Sequence, residues 1–123
     1  AESALAEAHA AALRAVLATT TDPGRTRLLG RVLAATDATL RPAAVDPARL
    51  ARFAGGYEGR TVSVVGGRLR YSRREGMADD LVPLGGDRFA LGTTQFLFEI
   101  EGRTVRLTID PADGTPISFL RSP

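Results

Sequence analysis

The sequence predicts an α+β domain: an N-terminal helical hairpin and a short third helix, then a small antiparallel, lipocalin-like β-barrel or curled sheet of about seven strands. Three observations lead there. Apolar residues recur at helical spacing over the first third of the chain. From Tyr57 onward the period falls to two. Proline, glycine and aspartate gather where the pattern changes. The 123 residues suit one domain. Hydrophobic residues at 44% and charged ones at 24% separate the chain from disordered sequences. No apolar run approaches the roughly 18–20 residues that span a bilayer.

The first helix is expected from Ser3 to Thr19, with Leu5, Ala8, Ala12, Leu13, Val16 and Leu17 at helical spacing and Ser3 as its N-cap. Thr20-Thr21-Asp22-Pro23-Gly24 breaks the pattern. Asp22 can cap a second helix whose first position is Pro23, where a missing N–H costs nothing. Leu28, Leu29, Val32, Leu33, Thr36 and Leu40 form its stripe, and it should stop before Pro42. That stripe is wide enough to suggest burial on two sides. Val45-Asp46-Pro47 repeats the start signal, with Val45 able to staple onto Leu50. Gly55-Gly56 ends this short helix just after Phe53. The chain thus divides into a helical connecting segment, residues 1–45, and a β-module, residues 46–123.

In the β-module, Val62 and Val64 alternate with polar residues, as do Leu69 and Tyr71, and Val105, Leu107 and Ile109, while Phe96, Phe98 and Ile100 alternate with Leu97 and Glu99. A two-residue turn at Gly66-Gly67 pairs Val64 with Leu69 and Val62 with Tyr71. A turn at Glu101-Gly102 would pair Phe98 with Val105 and Phe96 with Leu107. Both registers set apolar on apolar, and a one-residue slip would destroy either.

Composition removes several chemistries. The chain has no cysteine, which excludes disulfides, thiolate metal sites and thiol nucleophiles. All 16 basic residues are Arg, so lysine Schiff bases, Ser-Lys dyads and P-loop lysines are excluded from these residues. The formal charge of +2 is spread evenly along the chain, and aromatics are only 6%, which argues against nucleic acid as a partner.

The remaining candidates have plain explanations. His9, the single histidine, sits in an Ala-rich helix and reads as a plain helix-surface or packing residue. Asp110-Pro111-Ala112-Asp113-Gly114 is short of the spaced carboxylates of a calcium loop and reads as a turn. Glu75, Asp79 and Asp80 lie close to Arg68, Arg70, Arg73 and Arg74; paired carboxylates can do acid–base work, but a self-neutralising hairpin end is simpler. Phe89, Phe96, Phe98 and Tyr71 could line a ligand cavity or fill their own core. No serine lies in a G-x-S-x-G elbow. The expectation is therefore no catalytic, cofactor-binding or metal-binding residue in this chain.

Residues 49–121 carry a further pattern: Leu50, Phe53, Gly56-Tyr57, Val62, Gly67-Arg68-Leu69-Arg70-Tyr71, Leu81-Val82-Pro83-Leu84, Asp87-Arg88-Phe89, Phe96-x-Phe98 and Gly102. It resembles the C-terminal β-module of tail-specific (C-terminal-processing) serine peptidases of the retinoid-binding-protein-like branch, and also modules appended to beta-lactamase-like serine hydrolases. The helix pair followed by Arg41-Pro42-Ala43-Ala44-Val45 is similar to the peptidase chains. The resemblance implies a non-catalytic accessory domain of an exported, periplasmic or secreted serine peptidase. Its partners would be the catalytic domain of the same parent chain or a second copy. The Ser and Lys of that family match no position here, so no catalytic role carries over; Tyr57, Leu69, Tyr71, Pro83 and Phe89 match as framework. The opening at Ala1, with neither Met nor a charged-then-apolar leader, fits a processed or excised segment. The alternative expectation is a free-standing, lipocalin-like binder of a small ligand.

Overall fold

The computed structural model describes residues 2–41, 43–74 and 77–123. It is an α+β fold. Among the described residues three helices, α1 (Glu2–Thr19), α2 (Pro23–Leu40) and α3 (Pro47–Phe53), precede nine strands. These are β1 (Gly55–Tyr57), β2 (Arg60–Val65), β3 (Arg68–Arg74), β4 (Met77–Asp80), β5 (Val82–Gly85), β6 (Arg88–Leu91), β7 (Thr94–Glu101), β8 (Thr104–Asp110) and β9 (Ile117–Leu120).

The helix caps follow the local chemistry. Asp22 accepts a hydrogen bond from the Arg25 amide, and Asp46 from that of Ala48, each with proline at the start of its helix. Ser3 lies inside α1, so the expected cap there is corrected.

The strands form two antiparallel meanders, β1-β2-β3-β4 and β5-β6-β7-β8-β9. This corrects the expectation of a single barrel or curled sheet of about seven strands. Two short hairpins raise the count, one turning at Glu58-Gly59 and one at Gly92-Thr93. The ladder also breaks at Leu81. Its amide still donates to Leu69 of the first sheet, while Val82 already pairs with Ala90 of the second. At the opposite seam the Ser122 amide reaches the Gly56 carbonyl, and the Arg60 guanidinium lies 4.2 Å from the centre of the Phe119 ring. The sheets face one core without closing into a barrel.

Gly66-Gly67 pairs Val64 with Leu69 and Val62 with Tyr71 as expected, and both glycines take the positive φ that a type I′ turn requires. The next expected register is corrected. The β7–β8 turn is Gly102-Arg103, so Phe98 faces Leu107, Phe96 faces Ile109 and Leu97 faces Thr108. Because the slip is two residues, every side chain keeps its face.

Between the sheets lies one cluster running from Leu50 to Phe119. Phe98 is its centre. Its ring stacks on Phe53 at 4.4 Å and meets Phe89 and Tyr57 edge-on at 5.7 and 6.2 Å. α3 plugs the core with Leu50 and Phe53, and the Tyr57 hydroxyl donates to the Phe53 carbonyl at 2.6 Å. Burial pushes the Tyr57 phenol up to about 12.

α1 packs along α2, pinned at the surface by Arg14–Asp37 and Arg41–Glu7. α2 in turn lies against β5, so residues 29–37 are all at least half-buried. The expected stripe is corrected at Leu28, which is exposed, while Arg31 and Ala38 are the buried positions of α2.

Candidate functional site

The feature nearest to a binding site is a cleft of about 350 Å³ where the helical segment meets one end of the β-module. Ala38 of α2, Ala43 and Val45 of the connection, and Leu50 of α3 form one side. Leu81, Val82, Pro83 and Phe89 form the other. Three local causes place it. The small residues Ala38 and Thr39 near the end of α2 and Ala43 in the connection leave room there. The capped start of α3 turns Leu50 inward. The strand switches sheets at Leu81, carrying Pro83 across the opening.

The rim of this cleft is charged. Arg70 donates to one Asp80 oxygen at 3.0 Å, whereas Arg68 stands 3.7 Å from the other. The second distance is too long for a hydrogen bond. Two guanidinium groups therefore share one carboxylate. Around the connection, at a neighbouring mouth, Arg49 grips both oxygens of Asp87. The Arg49 hydrogen bonds hold the Asp87 carboxyl below its ordinary value, and the same contact raises the Arg49 guanidinium. That pair ties α3 to the β5–β6 turn.

The residues weighed in the sequence fall elsewhere. His9 is exposed on α1. Asp110 is a docking residue: Arg31 donates to its carboxylate at 2.7 Å and to the Asp110 and Thr93 carbonyls, while Arg27 takes the other carboxylate oxygen at 2.7 Å. Arg27 also reaches the Pro111 and Ala112 carbonyls, so the loop that faintly resembles a calcium site is occupied by α2. Asp80 sits with Arg68 and Arg70, whereas Asp79 and Arg73 are exposed; Glu75 and the side chain of Arg74 lie outside the described residues. Phe89 and Phe98 pack on each other and on Phe53 of α3, Tyr71 meets Phe96 edge-on, and all four belong to the core cluster. Among the described residues no three metal-ligating side chains gather, and no helix is long and apolar enough to cross a membrane.

In comparisons with known proteins, no family model, no curated protein and no solved structure matches the chain. The cleft was not legible in the sequence. Its walls come from four separated stretches, and the only local hint was the run of small residues before Val45.

Proposed function

We propose that this chain is a non-catalytic accessory module of a larger exported serine hydrolase, packed on the catalytic region of its parent through the outer side of the helical hairpin. The observation that carries this reading is α1. Its Ala10 and Leu13 are buried, yet Leu5 is 74% exposed and Val16 is also exposed. A helix that is apolar on more than one side is built to be covered on more than one side. The choice of a tail-specific-peptidase-like parent, and with it a periplasmic or secreted location, rests on the pattern spanning Leu50 to Phe98. In this reading the β-module is a rigid body and the hairpin is its attachment.

Co-expression with the polypeptide encoded immediately before Ala1 tests the reading. A complex should form in trans, and Leu5→Asp combined with Val16→Asp should weaken it while leaving the circular dichroism of the chain unchanged. The absence of an upstream coding region, or a complex indifferent to both substitutions, would overturn the proposal.

A further inference from the structure

Arg52 and Arg121 gather at the β7–β8 turn, but their guanidinium groups are committed to the carbonyls of Gly102, Arg52 and Arg103 and act as staples. The β9 edge exposes Ile117 and Leu120 but carries no charge or shape that selects a partner.

The cleft carries both a volume and a charge. We propose that it binds a small amphipathic anion, a ligand with a short apolar chain and one carboxylate-type head. The chain would lie against Leu81, Val82, Pro83 and Phe89, and the head would take Arg68. This goes beyond the accessory role and holds whether or not the chain has a catalytic parent.

The volume of about 350 Å³ lies at the lower end of the roughly 300–1,000 Å³ usual for ligand sites, so the ligand is small. Such sites are mainly apolar with a few polar groups that orient the ligand, and here Arg68 and Asp80 are the charged ones. Arg70 already satisfies Asp80 at 3.0 Å. Arg68 is 72% exposed and makes no hydrogen bond to that carboxylate, so its donors are available at the mouth. An anionic head would bring the balance there to two cations and two anions. A cationic head would meet two guanidinium groups beside a carboxylate that is already engaged. Asp79 sits opposite Tyr71 in the register, on the other face of β4 from Asp80. The Arg49–Asp87 pair neutralises itself.

Calorimetric titration of the full chain with octanoate, octan-1-ol and octylammonium tests the proposal. Octanoate should bind saturably at one site per chain, octan-1-ol more weakly and octylammonium not at all. Arg68→Gln should weaken octanoate by about tenfold, the loss expected of one charge-assisted hydrogen bond, and leave octan-1-ol unchanged. High salt should weaken octanoate alone, because the guanidinium is exposed. Ala43→Phe, at a half-buried position of the connection, should abolish octanoate binding without altering circular dichroism. Equal binding of the three probes, octanoate binding indifferent to Arg68→Gln, or no saturable binding would overturn the proposal. So would a dimer in sedimentation that Ala43→Phe dissociates, since the cleft would then belong to a second copy.

Discussion

Phe98 and Leu97 are neighbours in the chain but differ in what surrounds them. Phe98 lies within a four-ring cluster, and truncating such a residue costs about 3–5 kcal/mol. Leu97 points to the opposite face and is half-buried. Denaturant melts should show Phe98→Ala losing about 3–5 kcal/mol and Leu97→Ala about 1 kcal/mol or less. Alternation along β7 made this contrast readable from sequence, because a period of two assigns faces without knowledge of the partner strand. Tyr57 supports a second residue-scale prediction. Its folded-state value is raised, so its contribution is complete below the ordinary value of 10.0 and is lost as the pH climbs towards about 12. With no lysine or cysteine in the chain, few other groups titrate there. Melting temperatures should therefore fall more steeply across that window in the native chain than in Tyr57→Phe, which carries no buried phenol to ionise. Parallel curves would contradict the burial of this hydroxyl.

At the level of elements, what could be read was whatever neighbouring residues decide. Caps at Asp22 and Asp46 and the Gly66-Gly67 hairpin depend on chemistry within a few positions, and each was legible. The β7–β8 register was not. A two-residue slip keeps Phe96 and Phe98 on the inner face, so the apolar pattern cannot tell the two pairings apart, and Gly102 fits either turn. The docking of α2 was also hidden, because it joins Arg31 to Asp110 across most of the chain. Arg31 is only 9% exposed and donates to two carbonyls as well as the carboxylate. Arg31→Ala would leave those acceptors without their donor, and we expect a loss of about 2–3 kcal/mol in chemical denaturation. Arg27→Ala, at a more exposed contact, should lose less. The tie between α3 and the β5–β6 turn predicts acid sensitivity. The Asp87 carboxyl is lowered, so the stability it supplies is present above its ordinary value of 3.8 and is lost as the pH falls through the folded-state value. Thermal melts should show a smaller acid-induced fall in Asp87→Asn than in the native chain, and an unchanged fall would mean that the pair contributes nothing.

For the whole molecule, the helical hairpin and the β-rich core are held by different contacts. Among the described residues the core cluster takes its members from Leu50 to Phe119, and none from α1 or α2. The helical segment adds its own seam, between α1 and α2, and docks through Arg27, Arg31 and Ala38. The class of fold was legible because the period changes once along the chain. The split into two sheets was not, because the one local sign, Pro83 at an edge-strand position, does not say which strands lie on its other side. The cleft was hidden for the same reason, since its lining comes from α2, the connection, α3 and strands of both sheets. Deleting residues 1–44 tests the division most directly. Residues 45–123 should keep strand-type circular dichroism and unfold cooperatively, with a raised tendency to associate because the surface under α2 is uncovered. An unfolded or non-cooperative fragment would contradict that division and would make the helical hairpin part of the core.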